Sequence, residues 1–345
     1  MSLSYSFRIF AAAVLLVVLT VGFTGCGGSG ANTIYQQVVE RASWIGNAVT
    51  FASFGGNSVP FIWSMASDGA GQTVLTPALT TGLPEGGIEP WYSPNGSQIA
   101  FAGQRSPATT NGIYIMAAAG ESTSIARLSP DDATGVDYQP FWVPALGLFA
   151  SQVVYTTTRT VNTSLSGGRG RIVAETTTGG TITMLVDIAG KTATWGAVSR
   201  DGNWLAYTLY DGVLNLNSAP PAANIYVKSI TAGFDPTTTG TLVTTKSPSD
   251  LTPRTDRNEA PSFSADGAQI AFHSNRNGTF SIFRSVSLTG AVAPVVLATA
   301  LTGNGDGYPV YSPDGTRILY NASRQLTTIN STDGSGAVVI TNRYQ

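Results

Sequence analysis

The sequence contains one cysteine and one histidine in 345 residues, and only 11% of it is charged. With a single cysteine no intramolecular disulfide can form, so the fold must rest on packing alone. With a single histidine, His273, a multi-histidine metal site is excluded, and any histidine-based triad would have to use that residue. His273 follows Ala-Phe at the end of an expected inner strand and reads as a packing or hydrogen-bonding residue. Soluble domains carry about 25% charged residues. Here the scarcity of charge and the formal net charge of −2 provide no basic field, which argues against nucleic acid as a partner. Thr, Ser, Gly and Asn abound instead, as on an extracytoplasmic, loop-rich surface.

Long apolar runs are scarce too, and the one at the start has a recognisable layout. Residues 1–8 carry positive charge, Ile9 to Val21 is apolar, and small residues follow. This is the arrangement of a secretory leader, too short to favour a membrane-spanning helix. Its end, FTGC at Phe23 to Cys26, resembles the bacterial lipobox, with Phe23 where leucine is usual. The resemblance implies cleavage after residue 25 and lipidation of Cys26, with residues 26–40 as a flexible tether that includes GGSGAN. Two or more acyl chains, each contributing ~0.8 kcal/mol per buried CH₂, anchor stably where one would not. By resemblance to other lipoproteins, Gly27 in place of aspartate favours an outer membrane or the cell surface. The plainer alternative is a stray thiol beside a cleavage site.

What is abundant is repetition. Aligned on one serine, the copies read EPWYSPNGSQIAF (from Glu89), WGAVSRDGNWLAY (from Trp195), APSFSADGAQIAF (from Ala260) and YPVYSPDGTRILY (from Tyr308). QPFWVPALGLFASQVVY, from Gln139, has a longer turn, and SWIGNAVTF, from Ser43, lacks Asp-Gly. The spacing is roughly 50 to 65 residues, a range typical of propeller blades. Each copy reads as two strands joined by a tight turn, because Gly tolerates φ > 0. Further apolar runs such as GIYIM, RIVAE and NIYVK supply a third strand, and TVLT, TMLV and VVIT a fourth. The expected fold is all-β: a six-bladed β-propeller of four-stranded antiparallel blades over residues 41–345.

An arginine stands four positions past the aromatic that closes the second run in several copies, at Arg105, Arg159, Arg276 and Arg324. Repeated residues usually serve repeated packing. These arginines, with the turn aspartates Asp201, Asp266 and Asp314, are therefore read as structural elements of the repeat.

The phrase SPDG-x-x-I-A-F/Y, followed by S-x-R and an I-Y-V strand, resembles the repeat of TolB-like six-bladed β-propellers. It is clearest in SPNGSQIAF, in SADGAQIAF with SNR, and in SPDGTRILY with ASR, and the likeness runs from about Trp44 to the C-terminus. TolB is a soluble periplasmic protein with an N-terminal α/β domain, and it works with the lipoprotein Pal. The segment before the first repeat here is too short for that domain, so the resemblance implies the propeller and an envelope setting rather than the Tol-Pal role.

In a propeller the innermost strands line a central channel, and the residue before each strand's proline is expected near its mouth. Those positions are Glu89, Gln139, Trp195, Ala260 and Tyr308, with Asp137, Glu259 and Asp306 close by. Their carboxylates would give one rim a negative potential that attracts a cation or basic peptide; the bland reading is ordinary solvated loop carboxylates. No cofactor and no metal-ligand set is indicated. SRDGNW echoes a sialidase Asp-box but with its glycine one position early, and the sequence has no G-x-S-x-G elbow for a serine peptidase. The expectation is a monomeric, membrane-tethered, non-catalytic propeller that binds a cell-envelope protein or polymer. A carbohydrate-active hydrolase or lyase using channel carboxylates, and a purely structural envelope component, are the alternatives.

Overall fold

The computed structural model describes residues 38–53, 60–76, 86–104, 111–120, 124–131, 135–159, 169–214, 220–244, 256–299, 306–323 and 325–341. They form six four-stranded antiparallel sheets, each built from consecutive strands. In blade 1 these are β1 (Val38–Ile45), β2 (Ala48–Ser53), β3 (Phe61–Ala66) and β4 (Thr73–Val74). Blade 2 runs from β5 (Ile88–Tyr92) and β6 (Gln98–Gln104) through β7 (Asn111–Ala117) to β8 (Ala126–Arg127). Blade 3 opens with β9 (Asp137–Trp142) and β10 (Val153–Thr157), blade 4 with β13 (Thr192–Val198) and β14 (Trp204–Tyr210). Blade 5 opens with β17 (Asn258–Phe263) and β18 (Ile270–Asn277), blade 6 with β21 (Asp306–Tyr311) and β22 (Arg317–Ala322). The six-bladed propeller expected from the repeats is the fold observed. Its first strand begins at Val38, inside the segment read as tether.

The repeated phrase has a physical cause at each of its landmarks. In four blades the serine carbonyl accepts from the glycine N–H at 2.9 Å, closing the turn (Ser93/Gly96, Ser199/Gly202, Ser264/Gly267, Ser312/Gly315). Those glycines sit at φ of 71°, 74°, 72° and 74°, where a side chain would be strained. The serine hydroxyl then accepts the N–H that opens the second strand, as from Gln98, Trp204, Gln269 and Arg317. The closing aromatic stacks on its cross-strand partner, with centroids 5.7 Å apart for Phe101–Tyr114 and 5.8 Å for Phe272–Phe283. Such pairs contribute about 0.5–1.5 kcal/mol beyond the area they bury.

Among the described residues no strand is exchanged between the first and last blades. The seam is closed by packing: Ala42, Val49, Phe51 and Met65 of blade 1 form one apolar cluster with Leu319, Leu326 and Ile340 of blade 6. Gly69, at φ 89°, lets the blade 1 backbone lie directly against the carbonyl of Ile340, where any Cβ would overlap it.

Candidate functional site

The innermost strand of every blade shifts register against its neighbour, and in five blades the residue at the shift has φ > 0 without being glycine. These residues are Glu89 (54°), Gln139 (59°), Trp195 (57°), Ala260 (53°) and Tyr308 (57°), the positions read from sequence as the channel mouth. Such a conformation costs of order 1–3 kcal/mol per residue and persists only where surrounding contacts impose it.

The contacts are visible. At four of these shifts the N–H of the strained residue donates to a side chain of the preceding blade. Gln139 N donates to Glu89 Oε2 (2.5 Å), and Trp195 N to Gln139 Oε1 (3.0 Å). Trp195 and Ala260 have no side-chain oxygen to continue the series, and there the acceptor moves to the second strand. Ala260 N donates to Thr208 Oγ1 (3.2 Å), and Tyr308 N to His273 Nδ1 (2.9 Å). Thr208 and His273 lie opposite Thr194 and Glu259 in register, so β14 and β18 offer the same position. A chain of bonds thus links blades 2 to 6 around the axis.

His273 belongs to that chain. Because Nδ1 accepts, the neutral ring carries its proton on Nε2, which donates to Glu259 Oε2 at 3.2 Å. Tyr210 donates to the other oxygen of Glu259 at 2.7 Å, and burial beside that carboxylate pushes the Tyr210 hydroxyl well above its ordinary pKa. Arg257 lies 3.6 Å from Glu259 Oε1. His273 and Glu259 are each 3% exposed, and both imidazole nitrogens are occupied.

Asp137 is fully buried against Arg159 (Nε to Oδ2, 2.6 Å) and Thr157 (2.6 Å). Burial raises its pKa, opposed by the arginine. Arg159 also reaches the blade 2 carbonyl of Asn111 at 3.3 Å. Arg276 makes the corresponding contact to Asn258 Oδ1 (2.6 Å), and Asn258 in turn donates to Ala223 O of blade 4. Asp201, Asp266 and Asp314 each accept from the turn serine hydroxyl at 2.5 Å. Arg105, Arg324, the Asp306 side chain, Cys26 and the leader lie outside the described residues.

The centre of the ring is filled by a residue the repeat pattern did not single out. Arg41, on β1 and 1% exposed, crosses the axis so that Nη2 donates to Pro261 O of blade 5 at 3.0 Å. Its guanidinium lies 4.4 Å from the ring of Trp91, 5.7 Å from Phe141 and 6.0 Å from Trp195, which belong to blades 2, 3 and 4. Trp195 continues the plug, its ring 5.1 Å from that of Tyr308 in blade 6. Burial lowers the Arg41 pKa to about 9, opposed by the charge of Glu89, so the side chain remains a cation at neutral pH. The expected mouth residues Glu89, Gln139, Trp195 and Glu259 are therefore interior groups, exposed by 1–3%, while Tyr308 is half-buried. Sequence reasoning missed Arg41 because blade 1 is the most decayed copy; the available signal was an arginine inside the inner strand VVERASWI.

Among the described residues no group of three or more His, Cys, Asp or Glu side chains is placed to hold a metal ion.

No protein-family model and no curated protein sequence matches the chain. Solved structures match its fold. TolB from Acinetobacter baumannii is 17% identical over 80% of this chain, with a TM-score of 0.56, and this chain spans 57% of that protein's length. A putative TolB from Agrobacterium tumefaciens is 19% identical, TM-score 0.54, covering 78% of this chain and 84% of its own. A puromycin-hydrolyzing peptidase from Mycobacterium tuberculosis is 16% identical, TM-score 0.53, covering 90% of this chain and 53% of its own. At such identities the likeness is one of architecture, and architecture hosts many activities. The chain is a six-bladed β-propeller of the TolB-like architecture.

Proposed function

We propose that the protein is a non-catalytic propeller of the bacterial cell envelope, tethered to a membrane through Cys26, whose loop faces bind an envelope protein or polymer. The observation that carries this reading is the plugged centre, in which the buried carboxylates are engaged by neighbouring groups. Arg41 and Trp195 fill the axis, and Glu89, Asp137 and Glu259 are buried and bonded to neighbouring groups. A glycosidase needs two carboxyl groups about 5–9.5 Å apart facing a sugar, one of them near water. These carboxylates instead hold blades together. The fold likeness to TolB is consistent with a binding role, and the likeness to a peptidase is not matched by a G-x-S-x-G elbow in this sequence.

The test is to express the full-length protein in a related bacterial host, crosslink intact cells, and identify what co-purifies with it and with Cys26→Ser. Recovery of one defined envelope protein with the anchored form, lost with Cys26→Ser, is the expected result. Recovery of only lipid or glycan, together with glycan turnover that Glu89→Gln or Glu259→Gln abolishes without unfolding the protein, would replace this reading with the hydrolase alternative.

A further inference from the structure

The centre of the ring carries more hydrogen-bond donors than it has acceptors for. Arg41 uses Nη2 on Pro261 O, and its Nε and Nη1 have no hydrogen-bond partner among the described residues. Gln139 has its amide orientation fixed, because Oε1 accepts from both Thr156 Oγ1 (2.9 Å) and Trp195 N (3.0 Å). Its Nε2 is consequently turned away from those partners and has none among the described residues. Among the described residues the indole Nε1 of Trp195 has no partner either, nor has the hydroxyl of the adjacent Thr194. Arg41, Gln139, Trp195 and Thr194 are each no more than 1% exposed.

These side chains belong to one neighbourhood: the guanidinium stands 6.0 Å from the Trp195 ring, and Trp195 is bonded through its backbone to Gln139. Buried polar groups in folded proteins are paired almost without exception. Among the described residues the unpaired set is four donor nitrogens, two of them on the Arg41 cation, and one hydroxyl that can also donate. Glu89, the carboxylate acting on Arg41, already accepts the Gln139 backbone N–H. A water molecule would accept only two of these donors, and its own hydrogens would point at others. A small anion matches this chemistry better, since it accepts several N–H bonds, donates none and adds negative charge beside the guanidinium.

We propose that the enclosed centre of the propeller is a binding site for one small monovalent anion, of halide or carboxylate chemistry, held by Arg41, Gln139 Nε2 and Trp195 Nε1. The anion would lock blades 1, 3 and 4 together at the axis. This proposal is independent of whether the protein binds an envelope partner.

The test uses the purified full chain carrying Cys26→Ser. Thermal unfolding is followed in sodium bromide, sodium acetate and sodium gluconate at equal ionic strength, and crystals grown in bromide are examined for anomalous scattering. Expected are a saturable rise in Tm of about 2–4 °C with the bound anion over gluconate, and a bromide peak within hydrogen-bond distance of Arg41 and Trp195 Nε1. A larger response to acetate than to bromide would assign the site to carboxylates, and the reverse to halides. Gln139→Glu, which supplies a carboxylate in place of a donor, is expected to abolish the anion response. Identical Tm values in all three salts with no bromide peak, or a response unchanged in both Gln139→Glu and Trp195→Phe, would overturn the proposal. The crystallographic arm decides it even if the variants do not fold.

Discussion

Arg41 and Pro261 are 220 positions apart in the sequence, and a single hydrogen bond of 3.0 Å joins them across the axis of the ring. The arginine starts in blade 1 and ends on blade 5, with aromatic rings of blades 2, 3 and 4 around its guanidinium. Nearly every blade therefore meets at one buried cation. A desolvated cation–π contact contributes about 2 kcal/mol.

Replacing Arg41 by alanine removes those contacts and leaves a hole at the axis. The expected loss of stability is about 2–4 kcal/mol. Arg41→Met fills much of the volume without a charge to desolvate, and is expected within about 1–2 kcal/mol of the parent protein. Urea unfolding of the two variants separates the packing contribution from the electrostatic one.

Arg159 and Asp137 form a pair in which both partners are buried, with side chains 4% and 0% exposed. Arg159→Ala leaves the carboxylate without its cation and is expected to cost about 3–5 kcal/mol. Arg159→Met combined with Asp137→Asn removes both charges and should recover a large part of that loss. A double-mutant cycle by chemical denaturation measures the recovery, and equal losses in the single and double variants would refute the pairing argument.

The sole histidine gives a direct reading of the chain of inter-blade bonds. Since Tyr308 N donates to His273 Nδ1, the neutral ring must be the Nε2–H tautomer. Long-range nitrogen–proton correlation NMR at neutral pH should show Nδ1 unprotonated. His273→Ala removes the acceptor for a buried N–H and is expected to cost about 1–3 kcal/mol.

The turn carboxyls predict an acid sensitivity with a definite sign. Hydrogen bonds from Ser264 to Asp266 and from Ser312 to Asp314, followed by backbone N–H bonds, hold both groups below the usual aspartate pKa. The unfolded chain takes up these protons at higher pH than the folded one. Their stabilisation is complete above the ordinary carboxylate range and is lost as pH falls through the depressed folded value. Asn95 fills the same turn position in blade 2 and accepts from Ser97 N at 3.1 Å, so amides fit there. Asp266→Asn with Asp314→Asn should leave neutral stability little changed and flatten the decline below about pH 4.

The seam between first and last blades is predicted to be sensitive to one methyl group. Gly69→Ala places Cβ on the Ile340 carbonyl at a φ that alanine adopts poorly. Expected is a loss of about 2 kcal/mol or more, with amide exchange in blades 1 and 6 accelerating before that in blade 3. Uniform exchange across all blades would show that the seam is no weaker than its neighbours.

The SPDG phrase, its closing aromatic and the four runs per unit were sufficient to specify six blades, because turn glycines, serine caps and cross-strand aromatic pairs are local and recur at a fixed spacing. The polar and aromatic character of Glu89, Gln139, Trp195 and Tyr308 was equally legible. Their burial was not, because it depends on which blade lies beside them and on where the backbone bulges, and neither is a local property. Thr208 and His273 look unrelated in sequence, and they become equivalent only when Trp195 and Ala260 leave an N–H for the second strand to satisfy. Arg41 shows the same limit at its sharpest. An arginine in a decayed repeat carries no periodic signal, and it acquires its meaning only when ring closure brings four distant strands around one cation.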